Sequence, residues 1–263
     1  MRSSPKFNPK PKTKQDTSWG EVAEWYHDLL SSNPDSYQAK VILPNLLRLM
    51  KIGRGEQVAD IACGEGFFAR AMQLAGATVT ATDISPELIA IARKSSPKEI
   101  NYNVASAHDL GWIKNGSVDK VTIVLGLQNI ADAGMALAES ARILKSGGKL
   151  YLILNHPAFR IPKGSSWGFD EEKNVQYRRV DGYLYEKKVE IEMRPGSDKS
   201  VKTVSFHRPL QYYFKQLHGA GLAITRLEEW ISHKKSESGP RAKAEDLSRK
   251  EIPLFLCLEA TKI

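Results

Sequence analysis

Cysteine is scarce in this chain of 263 residues: Cys63 and Cys257 are the only two. They are too few and too far apart for a disulfide scaffold or a zinc site, so both read as buried thiols and no metal is expected. Long apolar runs are also missing. No segment approaches the roughly eighteen residues of a membrane span, and the N-terminus lacks the apolar stretch of a secretory signal. These absences point to a cytoplasmic protein without membrane attachment. A surplus of acid is absent too: the net charge is +8. Most of that charge is local. Residues 1–15 carry five basic residues and no acidic one, and 232–250 carry six basic against three acidic, which leaves the remainder neutral. The Pro/Lys-rich tail 1–17 reads as a disordered solubilising arm, so nucleic acid is an alternative partner and not the favoured one.

A hydrophobic content of 41% suffices for a sizeable core and fits one domain bearing an insertion. Helical spacing of apolar residues runs through Trp19–Leu30 and Tyr37–Met50, separated by Asn33-Pro34. Apolar and amphipathic segments then alternate. Strands are expected at Gln57–Ala62, Thr78–Thr82, Asn101–Val104, Lys120–Leu125 and Lys149–Leu154, with helices at Phe67–Leu74, Pro86–Lys94 and Met135–Leu144. Such alternation builds a parallel sheet flanked by helices. From His156 the pattern turns aromatic and β-prone. Antiparallel strands are expected near Gln176–Tyr185 and Lys187–Met193, with Asp181-Gly182 and Pro195-Gly196 as turns. A helix at Leu210–His218 and strands at Leu222–Ile231 and Pro253–Ala260, joined by a basic loop, close the chain. The expected organisation is therefore a basic tail (1–17), a core of 18–155 plus 206–263, and an inserted lid (156–205).

The sharpest local signal is Asp60-Ile-Ala-Cys-Gly-Glu-Gly66. Gly64-Glu-Gly66-Phe-Phe-Ala69 fits a dinucleotide fingerprint, so the glycines alone leave the ligand open. Asp60 narrows it. A carboxylate aimed into the turn opposes a pyrophosphate but suits the cationic amino end of S-adenosylmethionine. Small residues at Ala62, Gly64 and Gly66 let backbone approach the ligand, and Asp83, ending the second strand, is placed to accept hydrogen bonds from ribose hydroxyls. A nicotinamide dehydrogenase is the weakest of the readings.

Val58-Ala-Asp-Ile-Ala-Cys-Gly-Glu-Gly66 resembles the first motif of class I S-adenosylmethionine-dependent methyltransferases, and Ala81-Thr-Asp-Ile-Ser85 resembles the second. Val104-Ala-Ser-Ala-His-Asp-Leu110, Asp119–Leu125 and Leu144–Leu150 are similar to the later motifs, and the nearest likeness is to the ubiquinone/menaquinone-biosynthesis-like small-molecule group. The resemblance implies a Rossmann-like, doubly wound, mostly parallel seven-stranded sheet with an antiparallel final hairpin. It also implies a monomer or homodimer acting on a small molecule, with Ile84, Ser106, Ala107 and Leu125 joining the cofactor site and Trp19 and Tyr26 covering it. Two positions depart from the pattern: Ala62 replaces a glycine, and Ser106 stands where an acidic residue often reads adenine.

Acceptor residues should lie beyond strands four and five, outside the carboxyl edge of the sheet. Gln128, Asn129, Asn155 and His156 are there, and the lid offers Arg160 and Trp167. His156 is the first candidate for a general base because imidazole titrates near neutrality, and His207 the second. Both also fit structural roles, His156 in the turn before Pro157 and His207 at the start of a helix. An RNA or protein methyltransferase using the tail, and a non-catalytic cofactor-binding regulator, are the competing readings.

Overall fold

The structure, a computed structural model, describes residues 19–193 and 201–263. The basic tail and the Pro195-Gly196 turn lie outside the described residues. Helices α1 (Ala23–Ser31) and α2 (Leu43–Met50) lead into an alternating series: β1 (Gln57–Ile61), α3 (Phe67–Leu74), β2 (Thr78–Asp83), α4 (Pro86–Ser95), β3 (Asn101–Val104), β4 (Val118–Val124), α5 (Ala133–Ile143) and β5 (Leu144–Asn155). Local chemistry fixes the helix starts. The Ser85 hydroxyl accepts from the Leu88 amide at 3.2 Å with Pro86 in the first turn, and Asp132 caps α5 through the Met135 amide at 2.9 Å.

Two ribbons follow, β6 (Ser165–Asp170) with β7 (Val175–Val180) and β8 (Lys187–Glu192) with β9 (Lys202–His207). The chain ends with α6 (Leu210–Gly219), β10 (Leu222–Trp230), α7 (Ala242–Glu251) and β11 (Phe255–Lys262). The main sheet has the order β10-β11-β5-β4-β1-β2-β3, parallel from β5 to β3, with β11 antiparallel to both β5 and β10. This is the doubly wound sheet with its final antiparallel hairpin. Strand order reverses between β1 and β4, so their carboxyl ends form the crevice where such sheets bind ligands.

The central strands read as apolar runs because both faces are covered. On one face α5 and α6 bury Leu137 and Leu217 against Ile123, Leu152 and Leu258. On the other, α2, α3 and α4 bury Leu46, Met72 and Ile89 against Val79, Tyr151 and Ile153. Each such side chain contributes about 1.5–3 kcal/mol by leaving water.

The lid differs from its expected pairing. Residues 176–180 pair backwards with β6, not forwards across Asp181-Gly182, and 187–192 pair with β9, so the lid is two separate ribbons. Its last strand runs through His207, past the expected boundary at 205. The basic loop holds a helix, α7, whose buried residues are only Ala244 and Ser248. Among the described residues no helix is long and apolar enough to cross a membrane.

Candidate active site

At the end of β1 the backbone enters the left-handed region three times within five residues: Ala62 at φ 56°, Gly64 at 58° and Gly66 at 85°. The turn thereby folds back and presents its amides, and Gly66 starts α3. Leu125, at the end of neighbouring β4, is also left-handed at φ 54°. Such conformations cost about 1–2 kcal/mol for residues other than glycine and cluster at functional sites. Gly126 makes room for the departure at Ala62, since a Cβ on Gly126 would stand 2.7 Å from the Ala62 methyl.

Asp60 is 1% exposed. Its Oδ1 accepts from the Thr122 hydroxyl at 2.7 Å, while Oδ2 is buried with no hydrogen-bond partner among the described residues. Burial pushes this carboxyl up to about 7, opposed by the Thr122 bond and reinforced by the charge of Asp83. Asp83 is better satisfied: Oδ2 accepts from the Gly64 amide and Oδ1 from the Ser85 amide, each at 2.9 Å. The second strand thus fastens the glycine turn directly.

Glu65, 1% exposed, is held by Arg70 through both carboxylate oxygens at 3.0 and 2.8 Å and by His27 Nδ1 at 2.9 Å. That network ties α1 over the turn and was not foreseen from sequence, because His27 and Glu65 are distant in the chain. Tyr26 and Trp19 meet edge to face with ring centroids 5.4 Å apart, and Tyr26 lies 3.8 Å from where a Gly64 Cβ would be. Tyr26, Asp60, Ala62, Gly64 and Phe67 line a small cleft beneath α1. A larger cleft of about 360 Å³, lined among others by Glu56, Asp119, Lys145 and Lys149, opens at the opposite edge of the sheet, away from the glycine turn. Of its four lysines, Lys120, Lys145 and Lys149 are paired with Glu56, Asp119 and Glu259.

Residues 59–152 match the family profile described as a methyltransferase domain. Over that span the chain is similar to the methyltransferase domain family. The ubiquinone biosynthesis O-methyltransferase of Xanthomonas oryzae pv. oryzae is 40% identical over 101 residues, 37% of this chain and 42% of that protein. The enzyme of the same name from Xanthomonas campestris pv. campestris is 36% identical over 129 residues, 48% of this chain and 50% of that protein. The chain thus spans about half, or less, of these curated relatives. An S-adenosylmethionine-dependent methyltransferase from Mesorhizobium loti superposes with a TM-score of 0.65 at 24% identity, over 82% of this chain and 96% of that one. A methyltransferase solved in complex with the Haloferax volcanii Trm112 activator does so with 0.66 at 19%, over 94% and 98%. At these identities the superpositions show the fold alone.

S-adenosylmethionine is the cofactor of such a domain, and the residues fit it. The unpaired Asp60 Oδ2 offers a buried anion to its ammonium group, and Gly66 keeps the turn open where a Cβ would strike the Tyr102 hydroxyl at 2.2 Å. The other expected cofactor residues follow β2, β3 and β4. Ile84, Ser106 and Leu125 are half-buried and Ala107 is buried. The Ser106 hydroxyl accepts from the His108 amide at 3.3 Å, and His108 Nε2 is a second buried atom with no partner among the described residues.

The acceptor-side histidines are otherwise occupied. His156 Nδ1 accepts from the Ala158 amide at 3.2 Å, which puts the proton on Nε2, and Nε2 donates to Glu229 at 2.7 Å. Burial holds its pKa below the usual value despite Glu229. In this arrangement both ring nitrogens are engaged, and His156 bridges the turn after β5 to β10. His207 donates from Nε2 to the Tyr183 carbonyl at 2.7 Å, while the Tyr183 hydroxyl accepts from Leu210 at the start of α6. It too is a fastener. We expect His156→Gln to lose about 1–3 kcal/mol of stability while methyl transfer stays within about tenfold of the parent, because general-base loss typically costs at least 100-fold. Denaturant unfolding and initial rates check this.

Gln128 accepts from the Asn155 amide at 3.3 Å, bringing the ends of β4 and β5 together, and Asn129 closes a 3-10 turn beside it. Arg160 donates to Asn155 Oδ1 at 2.6 Å, and Trp167 is partly exposed on β6 beneath Arg178. Arg208, which sequence reasoning missed, is buried between Phe206 and Tyr212 and donates to the carbonyls of Leu127, Ile130 and Ala131. It locks the turn after β4 to α6.

Proposed function

We propose that the protein transfers the methyl group of S-adenosylmethionine to a small-molecule acceptor held between the carboxyl ends of β4 and β5 and the lid. The observation that carries this reading is the unpaired buried oxygen of Asp60 at the β1–β4 crevice. A lone carboxylate oxygen in a dry site is costly unless a cation meets it. The cofactor supplies a methyl group on a sulfonium, already electrophilic, so the protein has to align the acceptor and exclude water. Asp60 holds the ammonium end, Asp83 the ribose, and Gly64 and Gly66 admit backbone contact. Trp19 and Tyr26 close over the cofactor from α1, and Ile84, Ser106, Ala107 and Leu125 frame the nucleoside. Gln128, Asn129 and Asn155 orient the acceptor. With both candidate histidines engaged, an acceptor that needs little help in losing a proton suits the site best. The names of the curated relatives support a small molecule as acceptor.

The test is transfer of label from S-adenosylmethionine into a cell extract divided into low-molecular-mass, RNA and protein fractions. Label in the first supports the reading, label in RNA or protein overturns the acceptor class, and no transfer overturns the catalytic assignment.

Asp60 adds a pH dependence. Between its unfolded value near 4 and about 7, the folded state holds a proton that the unfolded state has released. Stability of the ligand-free protein therefore falls as pH rises through that window, while ionised Asp60 favours a cationic ligand. We expect donor affinity to rise from about pH 6 to about pH 8, and Asp60→Asn to flatten both trends. Calorimetry on the two proteins checks it.

A further inference from the structure

Several arginines in this fold are spoken for. Arg70, Arg142 and Arg48 pair with Glu65, Glu139 and Glu228, and buried Arg208 spends its guanidinium on three carbonyls. Two arginines at the carboxyl edge of the sheet are different. Arg160, half-buried above the Phe255 ring at 5.4 Å, has five N–H donors and makes one side-chain hydrogen bond, to Asn155 Oδ1. Arg178, on β7, donates from Nε to the Phe159 carbonyl at 2.7 Å and from Nη2 to the Ser165 hydroxyl at 2.7 Å, with its plane over Trp167 at 5.1 Å. Among the described residues neither has a carboxylate within ion-pair distance.

The backbone sets the pair side by side. The Arg160 amide donates to the His156 carbonyl at 2.8 Å, a single helical turn that lifts residue 160 above Asn155, and Arg178 grips the carbonyl of the preceding residue. Burial lowers the pKa of both guanidiniums; at Arg160 Tyr37 opposes that shift and the charge of Arg178 adds to it. Two partly desolvated like charges with spare donors are stabilised when something anionic meets them.

We propose that Arg160 and Arg178, with the side-chain amide of Asn155, form a receptor for an anionic oxygen group, carboxylate or phosphate, on the methyl acceptor. The proposal rests on the methyl-transfer reading above and narrows its substrate class. Asn155 ends β5, next to the β4 turn that Gln128 joins to it, so a group gripped there lies at the mouth of the crevice. Phe255 beneath Arg160 and Trp167 beneath Arg178 give the bound anion apolar walls that exclude water and strengthen the contact.

The test uses the full chain saturated with S-adenosylhomocysteine and ligand-observed NMR competition. The probes are aromatic and aliphatic carboxylic acids, each beside its neutral methyl ester and a phosphate of the same skeleton. We expect at least one anion to bind about tenfold or more tighter than its neutral twin. Arg160→Gln should erase the preference and Arg160→Lys should retain part of it. A panel in which no anion exceeds its twin, or a preference that survives the Arg160→Gln/Arg178→Gln double substitution, overturns the proposal. Arg160 variants carry the test if Arg178→Gln loosens the lid, because Arg160 makes only one side-chain hydrogen bond. Unchanged S-adenosylhomocysteine affinity shows that the donor site stands. If that ligand does not bind at all, the methyl-transfer reading fails, and the same panel run without it still tests the arginines.

Discussion

Asp83→Ala is expected to weaken S-adenosylmethionine binding at least about 100-fold, corresponding to about 2.8 kcal/mol. Two losses combine. The ribose hydroxyls lose a charged acceptor, where such bonds contribute about 1.5–3 kcal/mol. The Gly64 and Ser85 amides also lose the oxygens they bond at 2.9 Å, so the glycine turn is no longer fastened to β2. Each orphaned amide costs about 1–3 kcal/mol of stability. Removal of a carboxyl whose pKa burial has raised returns part of that cost. The fold, whose two cores do not include Asp83, should persist at a lower unfolding temperature. Calorimetric titration well below that temperature separates the effects. Parent-like affinity in the variant would make Asp83 a loop fastener only and remove it from the donor site.

Gly66→Val should abolish donor binding and destabilise the protein by about 2–4 kcal/mol. The position requires φ 85°, and its new Cβ would lie 2.2 Å from a Tyr102 hydroxyl that Ser96 holds at 2.9 Å. Neither partner has room to yield: Tyr102 is 4% exposed and α3 begins at the next residue. Gly55→Val is the matched control. Gly55 has φ 78° with nothing within 4 Å of its Cβ direction, so that variant carries backbone strain without the clash. Equal unfolding free energies for the two would show that Tyr102 contributes nothing.

The glycine turn was legible because its information is local. Left-handed backbone favours small residues, so Ala62, Gly64 and Gly66 mark the turn, and Asp60 one residue before the end of β1 and Asp83 at the end of β2 set carboxylates at the edge of the sheet. Central strands announce themselves as apolar runs, and Ser85-Pro86 announces a helix. The acceptor half depends on pairings across long stretches of chain. His156 looks like a free imidazole until Glu229, far along the sequence, folds against it. Asp181-Gly182 is a good turn, but nothing local says that 175–180 turns back onto 165–170. Helix α7 buries only small residues, Ala244 and Ser248, and so leaves no apolar stripe to read. The isolation of Arg160 and Arg178 from carboxylates is likewise a property of the folded chain.

Helix α7 and the β6–β7 ribbon are inserted far apart in sequence, yet Ser248 on α7 donates to the Gln176 carbonyl at 2.8 Å, and Arg241 pairs with Glu171 and lies over Phe169 at 4.4 Å. The two insertions are halves of one removable part. A chimera that transplants residues 156–205 alone onto another domain of this fold would leave the ribbon without its brace, whereas one that also carries 232–252 would bring the ribbon together with the helix that supports it. Exchange of this ribbon between such domains therefore has to move two segments of chain together.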